Sequence, residues 1–409
     1  MNAAPMSDAA PVPGPAPSPV GKARALRFVL LVGAMSLFAD FVYEGGRSLA
    51  GPYLAILGAS GAVVGIASGF GELAGYGLRF FSGKLADRTQ RFWPIAIFGY
   101  AVQMAAVPAL ALAGSWPAAV GLLWLERLGR GARKPAVDAM LSHAGKEMGG
   151  YGWAFGLHEA LDQGGALLGP LALAAILALR HDYRLAFAAL AIPAALMLSI
   201  LALARILYPR PEELEPPQER RLEAAGLPRV FWIYLAGASL VGAGFADFPL
   251  IAFHFQKAAV LSPSLVPVSY AIAMGVSGAG SLVFGKLFDR RGLWVLVPLT
   301  VVCAGYAPLA FLGGPWAALA GVALWGLGMG VQESIITAAV AHMVGPARRA
   351  SAYGIFTAGY GIFWFLGSAL LGPLYDVSLP ALIAVAVGLE LAAVPFFVVT
   401  ARHLGTMAA

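Results

Sequence analysis

The sequence predicts an all-α membrane protein with twelve transmembrane helices in two pseudo-symmetric six-helix bundles. Of the 409 residues, 59 % are hydrophobic and 12 % are charged, whereas soluble domains contain about 25 % charged residues. Apolar stretches long enough to span a bilayer recur from Phe28 to Val399. Short sequences of the first half also recur in the second half. The recurring apolar stretches argue against a soluble protein with one oversized core.

The apolar stretches place six spans near 28–57, 62–82, 93–113, 117–142, 152–178 and 184–205. Six more follow near 230–256, 266–285, 293–312, 316–344, 351–374 and 380–401. Residues 1–25, which begin with a Pro- and Ala-rich stretch, are predicted to form a disordered cytoplasmic tail. Residues 206–229 are polar, with prolines and charges of both signs, and predict a cytoplasmic linker. The two bundles are therefore expected at 26–205 and 230–402.

The distribution of basic residues predicts the orientation in the membrane. With the N-terminus inside, only Arg180, Arg184 and Lys257 fall outside, and the other basic residues of the connecting segments fall in the cytoplasm. Because cytoplasmic loops retain Lys and Arg, both termini are expected to be cytoplasmic. The Ala- and Gly-rich, Lys-poor composition favours a bacterial inner membrane. The net charge of +6 then reflects topology, and no nucleic-acid partner is expected.

Three pairs of similar stretches show that one six-helix unit is used twice. GKLADR at 83–88 recurs as GKLFDR at 285–290, and LFADF at 37–41 recurs as GFADF at 244–248. ALLGPL occurs at 166–171 and again at 369–374. Parallel repeats of this kind place a substrate site near the midplane, between two bundles that rock against each other.

Three local motifs resemble those of the major facilitator superfamily, and the resemblance covers nearly the whole chain. GKLADRTQR resembles the motif between helices 2 and 3, RLGRG at 127–131 that of helix 4, and GALLGP at 165–170 the helix 5 motif of drug/proton antiporters. Ala172 and Ala174 depart from the glycine pair that continues the last motif. The resemblance implies a latch that holds the cytoplasmic side closed, formed by Gly83, Asp87, Arg88, Gly285, Asp289 and Arg290. The glycines would let two helix ends approach.

Ionisable residues inside the apolar spans are candidates for substrate binding, because each costs about 2.5–3.5 kcal/mol at the bilayer centre. Their depth predicts that Asp162 meets Arg130 or Arg133 and that Glu44 meets Arg127. The alternative is a permanent structural network. The candidate substrate-binding residues are Asp40, Glu44, Arg47, Arg127, Arg130, Lys134, Glu159 and Asp162, of which the first three share one face of helix 1.

The second half has acidic residues in its spans but no Lys or Arg well inside the membrane. An acid in an apolar setting without a cation favours its neutral form and can carry a proton. Asp247 and Glu333 are therefore the predicted proton-coupling residues. Glu390 is a weaker candidate, because in the family helix 12 lies outside the cavity. Trp325, Phe356 and Trp364 are possible cavity residues.

The predicted function is secondary transport and not enzymatic catalysis. No G-x-S-x-G or H-E-x-x-H stretch occurs, and GSLVFGK at 280–286 lacks the Ser or Thr of a phosphate-binding loop, since Leu287 follows it. No cofactor or metal is expected. The prediction is proton-coupled export of a small polar or charged organic solute by a monomer in the lipid bilayer. A proton-coupled uptake symporter, a lipid flippase and a non-transporting sensor are the alternatives.

Overall fold

A computed structural model describes residues 19–89, 91–147, 151–210, 226–332, 339–340, 343–344 and 349–408. All regular elements in these ranges are helices, which confirms the predicted all-α class. The first half contains α1 (Pro19–Ile56), α2 (Gly61–Thr89), α3 (Phe92–Ala109), α4 (Trp116–Glu147), α5 (Tyr151–Arg180), α6 (Tyr183–Ala189) and α7 (Ala191–Leu207). The second half contains α8 (Arg229–Gly244), α9 (Phe248–Lys257), α10 (Leu265–Arg291), α11 (Leu296–Cys303), α12 (Tyr306–Leu312), α13 (Pro315–Val331), α14 (Arg349–Val377) and α15 (Leu379–Ala408).

Nine segments of the described chain are long and apolar enough to cross a membrane. Several of them join two helices, such as α6 with α7 and α8 with α9. The charge-bearing helices α2 and α4 are not among the nine, and α13 is shorter. The chain is therefore a multi-pass membrane protein, while the count of twelve spans stays a prediction.

Helix contacts occur both within and between the halves. In the first half, α1 packs on α5 and α7, and α4 packs on α2 and α3. In the second half, α8 packs on α14 and α15, and α10 packs on α13. Contacts between the halves join α1 to α9, α2 to α14 and α5 to α10. The predicted boundaries of the two bundles are compatible with these contacts but are not tested by them.

The helix 5 motif has a packing role against α1. A Cβ atom at Gly165 would overlap the backbone of Leu37, and one at Gly169 would overlap the backbone of Phe41. In the second copy, Gly372 matches Gly169, and a Cβ atom there would lie 2.7 Å from the backbone oxygen of Gly61 in α2. These glycines therefore permit close helix packing, which explains the motif without reference to the direction of transport.

The span predicted near 230–256 is divided into α8 and α9 at residues 245–247. Three bonds satisfy the backbone at the break: Ala246 N donates to Tyr306 Oη at 2.6 Å, Tyr306 Oη donates to Gly244 O at 3.0 Å, and Trp325 Nε1 donates to Ala246 O at 2.8 Å. Irregular backbone at membrane depth needs such partners. Asp247 then caps α9, accepting a hydrogen bond from Phe248 N at 2.9 Å.

The two GK-L-x-DR stretches lie in the last turns of α2 and α10, and not in turns between helices as predicted. A Cβ atom at Gly83 would lie 3.6 Å from Pro135 Cβ, an ordinary packing distance, and one at Gly285 would meet nothing within 4 Å. The expected close approach at these glycines is therefore wrong for this conformation. The side chains of Asp87 and Asp289 lie outside the described residues.

Contacts between the halves close one end of the molecule, which we call the sealed end. The carboxylate of Asp376 in α14 accepts hydrogen bonds from Gly61 N at 2.9 Å and Ala62 N at 2.8 Å, at the start of α2. Lys257 Nζ, at the end of α9, lies 3.8 Å from Asp376 Oδ1. Further along α2, Gly65 lies against the backbone of α14. The sealed end is the one that the sequence predicts to be extracellular.

Candidate functional site

A cavity of about 340 Å³ lies between the two halves. Its two walls differ in chemistry. The first half contributes charged groups from α1, α2 and α4, namely Glu44, Arg47, Glu72, Arg79, Arg130 and Lys134. The second half contributes aromatic and neutral polar groups, among them Tyr270, Gln332, Phe356, Tyr360 and Trp364. A solute in this cavity would contact charges on one side and aromatic rings on the other.

An ion pair between the halves lies beside this cavity. Arg47 Nη2 of α1 lies 2.5 Å from Asp247 Oδ1, the cap of α9. The two side chains are 7 % and 2 % exposed, so the pair is shielded from solvent and its attraction is strong. Arg47 Nη2 also lies 3.8 Å from Glu72 Oε1 of its own half. Arg47 therefore has a carboxylate within ion-pair distance in each half.

The two carboxylates that line the cavity, Glu72 and Glu44, also have partners. Glu72 Oε1 lies 3.0 Å from Arg127 Nη2, and Glu44 Oε2 accepts a hydrogen bond from Tyr270 Oη at 2.5 Å. The second of these contacts joins α1 to α10, so it also links the two halves. The Arg47–Asp247 and Glu44–Tyr270 contacts are thus two polar links across the interface.

A second group of charges is buried inside the first half, away from the cavity. Arg133 Nε donates to Gln103 Oε1 at 2.6 Å, and Gln103 Nε2 donates to Glu126 Oε1 at 3.0 Å. Arg133 Nη1 also donates to Tyr100 Oη at 3.1 Å, and Nη2 lies 3.9 Å from Asp40 Oδ1. These residues connect α1, α3 and α4 and have few directions left in which to bind a solute. Their geometry matches a structural network.

The chain has a family model that matches over residues 34–405, described as Major Facilitator Superfamily. The chain belongs to this superfamily. An uncharacterised protein of Mycobacterium tuberculosis is 42 % identical over 377 residues, which cover 90 % of this chain and 91 % of the relative. An uncharacterised MFS-type transporter of Methanocaldococcus jannaschii is 24 % identical over 364 residues, covering 86 % and 89 %. This superfamily member is therefore an MFS-type transporter.

Solved transporter structures share the fold. The nucleoside transporter NupG superposes with a TM-score of 0.70 at 16 % identity, covering 93 % of this chain and 98 % of NupG. The peptide transporter POT in complex with sulfate has a TM-score of 0.71 at 15 % identity, with 93 % and 95 % covered. At these identities the likeness establishes the fold of this superfamily member but does not identify its solute.

The structure corrects the predicted ion pairs of the first half. Arg127 pairs with Glu72 and not with Glu44, which instead accepts from Tyr270. Arg133 approaches Asp40, and no ion pair joins Asp162 to a cation among the residues whose side chains are described. Lys134 Nζ pairs with Asp138 Oδ1 at 3.0 Å within α4. Counting depth along a helix did not show which face each residue occupies, so the predicted partners were wrong.

The expectation that the acids of the second half lack a cation is wrong for Asp247. Its cation comes from the first half, as Arg47. Glu333 lies outside the described residues, and so does the side chain of Glu159. Glu390 is buried and lines a cavity of about 20 Å³ beside Cys303, separate from the main cavity. No group of three His, Cys, Asp or Glu residues suited to a metal occurs in the described part of the chain.

Glu72, Arg79 and Glu126 are further charged residues of this region that were not predicted from the sequence. Glu72 and Arg79 line the cavity from α2, and Glu126 belongs to the buried network of α4. The sequence did contain a signal for them: each is a charge inside a predicted apolar span, and the same insertion cost that selected Asp40 applies to all three.

Replacing Arg133 by glutamine is expected to lower stability by roughly 3 kcal/mol, because Asp40 and Gln103 lose their buried partner. Thermal unfolding of the purified protein in detergent measures the change. Arg205→Gln is the matched control, since the Arg205 side chain is exposed and, within the described part of the chain, donates to the nearby Pro209 O. Equal melting temperatures for the two variants would contradict a structural role for Arg133.

Proposed function

We propose that this transporter exports a small polar or charged organic solute by proton-coupled alternating access, as a monomer in a bacterial inner membrane with both termini cytoplasmic. The observation that carries the proposal is the Arg47–Asp247 pair, which joins the two halves beside the cavity. Alternating access requires such contacts to form and break as the halves rock. The sealed end then corresponds to the periplasmic gate in its closed state.

Protonation of Asp247 supplies the coupling step. Asp247 Oδ1 is bonded to Arg47 and to Phe248 N, whereas Oδ2 has no hydrogen-bond partner among the described residues. A proton on Oδ2 removes the negative charge that holds Arg47, and Glu72, 3.8 Å away, becomes its stronger partner. The bond between the halves is exchanged for one inside the first half. This exchange favours opening of the sealed end.

The remaining predicted residues have complementary roles in this proposal. Glu44, Arg130 and Lys134 line the cavity and contact the solute. Asp40, Arg127 and Asp162 support them from neighbouring positions, and Glu159 and Glu333 stay candidates for solute and proton binding. The cytoplasmic latch stays assigned to Gly83, Asp87, Arg88, Gly285, Asp289 and Arg290.

Reconstitution into proteoliposomes tests the proposal. A pH gradient imposed across the membrane should drive accumulation of a transported solute against its concentration gradient, with protons moving in the opposite direction. Both fluxes are measured, the solute by radiolabel and the protons by an internal pH dye. Protons and solute moving in the same direction would favour uptake by symport. Solute binding without any flux would favour a sensor.

A further inference from the structure

The hydrogen-bonding capacity that is left unused around the main cavity is of one kind. Four of its lining residues have a buried side-chain atom with no hydrogen-bond partner among the described residues, and all four atoms are N–H donors. They are Arg47 Nε, Arg79 Nε, Gln332 Nε2 and Trp364 Nε1. Buried donors are normally satisfied. A solute with acceptor groups in this cavity would supply the partners that these donors lack.

The charged residues that line the cavity also favour a solute with acceptor groups. Both lining carboxylates already have donors, Glu72 from Arg127 and Glu44 from Tyr270. Arg79 and Arg130, in contrast, are in no ion pair with a described carboxylate. Their guanidinium groups stack on aromatic rings instead.

The stacking geometry keeps both guanidinium groups available. Arg79 Cζ lies 4.8 Å from the centre of the Tyr76 ring, and Arg130 Cζ lies 3.9 Å from the centre of the Tyr43 ring. Stacking fixes a guanidinium plane while leaving its N–H edge free, and that edge matches a carboxylate or a phosphate. Four carboxylates attract Arg130 electrostatically, namely Asp40, Glu44, Glu126 and Glu72. Each of them contacts another residue: Asp40 faces Arg133, Glu44 accepts from Tyr270, Glu126 accepts from Gln103, and Glu72 pairs with Arg127.

The opposite wall is suited to a flat apolar group. Phe356, Tyr360 and Trp364 recur every four residues along α14 and so share one face. Their rings are adjacent, with centroids 6.1 Å apart for Phe356 and Tyr360 and 5.8 Å apart for Tyr360 and Trp364. Tyr360 Oη donates to Gln332 Oε1, and the Gln332 amide nitrogen has no partner among the described residues. This wall supplies stacking surface and two further donors.

We propose that the solute is an organic anion with a planar apolar body. Its anionic group binds Arg79 and Arg130 on the first half, and its ring lies against Tyr360 and Trp364 on the second half. This assignment rests on the proposed function and defines its substrate class. A cavity of about 340 Å³ is at the lower end of the range for small-molecule sites, roughly 300–1,000 Å³. A bicyclic carboxylate is of suitable size.

A set of matched probes tests the anion and the ring separately. The probes are 2-naphthoate, its neutral amide 2-naphthamide, the cation 2-naphthylmethylammonium, and acetate as an anion without a ring. Equilibrium binding is measured by calorimetry on the full chain in detergent. The naphthoate is expected to bind about tenfold or more tightly than the amide, because charge-assisted hydrogen bonds are the stronger ones. Equal or tighter binding of the amide or the cation, or no binding of the naphthoate, would overturn the proposal.

Arginine variants assign the anion site. Arg79→Gln and Arg130→Gln should each weaken naphthoate binding by roughly tenfold and leave amide binding nearly unchanged, which also shows that the variants are folded. Arg91→Gln is the control, since Arg91 is exposed in the α2–α3 connection. Unchanged naphthoate affinity in both cavity variants would refute the assignment.

Transport assays separate this inference from the proposed function. If naphthoate binds more tightly than the amide but no flux occurs in proteoliposomes, the proposal of proton-coupled export is contradicted and the proposal of an anion site is supported. Proton-coupled flux of a neutral or cationic solute, with no anion transported, would leave the transport mechanism standing and remove the substrate class.

Discussion

Replacing Asp247 by asparagine is expected to reduce pH-gradient-driven flux by roughly 100-fold or more, the effect of a few kcal/mol on a two-state equilibrium. Asparagine can still cap α9, because it accepts a hydrogen bond from Phe248 N as aspartate does. The substitution therefore removes the charge and little else. It leaves the Arg47 guanidinium, 7 % exposed, without its strongest partner.

The cost falls on the conformation in which the sealed end is closed. Breaking a buried ion pair by removing one partner costs about 3–5 kcal/mol, and here the pair joins the two halves. In the proposed mechanism the pair separates when the sealed end opens, so the penalty does not apply to the open conformation. Asp247→Asn and Arg47→Gln should both shift the population toward opening of the sealed end.

The double variant Arg47→Gln with Asp247→Asn tests whether the effect comes from the pair. It removes both charges, so the apparent melting temperature should recover relative to either single variant while proton coupling stays absent. Arg180→Gln is the control, since Arg180 is exposed in the last turn of α5, and exposed charges contribute little to stability. Asp247→Asn with normal flux and normal proton movement would show that coupling uses another residue.

The fold could be predicted because its signals are local. Apolar stretches, the linker and the repeated short sequences can each be recognised without knowing what packs against them, and the all-α membrane class and the superfamily are confirmed. The break between α8 and α9 could not be predicted in this way. It depends on Tyr306 and Trp325, whose side chains satisfy the backbone of Gly244 and Ala246 from distant positions in the chain.

The candidate site was only partly accessible from sequence. Insertion cost identifies residues that should not face lipid, and it selected Arg47 and Asp247, which the structure pairs beside the cavity. It does not tell which charge meets which, because that depends on how the two halves face each other. The Arg47–Asp247 pair, between residues 200 positions apart, is the clearest example, and it reversed the premise that Asp247 lacks a cation.

The repeat also has a limit as a guide to function. Asp40 and Asp247 occupy matching positions in LFADF and GFADF, but Asp40 lies within the continuous helix α1 and Asp247 caps a new helix. Equivalent residues therefore meet different surroundings, Arg133 in one case and Arg47 in the other. The similar sequences around Asp40 and Asp247 therefore predict apolar spans in both halves, but they do not predict the same role for the two aspartates.

Replacing Gly65 by leucine is expected to prevent closure of the sealed end and to reduce transport by roughly 100-fold, because about 3 kcal/mol of steric cost shifts a two-state equilibrium by that factor. A Cβ atom at Gly65 would lie 2.5 Å from Ser368 O and 2.7 Å from Gly372 Cα of α14. Both neighbours are backbone atoms, so no side-chain rotation can relieve the overlap. Only separation of α2 from α14 can.

A cysteine at Ala50 reports the state of the sealed end. Ala50 is buried in α1 and lines a small cavity together with Arg47 and Pro249. The protein contains one native cysteine, Cys303, so the variant is made in a Cys303→Ala background. A membrane-impermeant maleimide is added from the side of the sealed end. It should label this cysteine roughly tenfold or more faster in the Gly65→Leu variant than in the same cysteine variant with Gly65 retained, in line with the population shift.

Gly77→Leu is the matched control for this experiment. It places the same side chain on the same helix, at an exposed position where a Cβ atom would meet nothing within 4 Å. If both leucine variants lose transport alike, the loss comes from changes to α2 and not from the interface with α14. If Gly65→Leu alone loses transport while its cysteine stays protected, the sealed end still closes, and the close approach of α2 and α14 is not required for alternating access. Loss of transport with increased labelling, in Gly65→Leu only, would identify this glycine contact as part of the periplasmic gate.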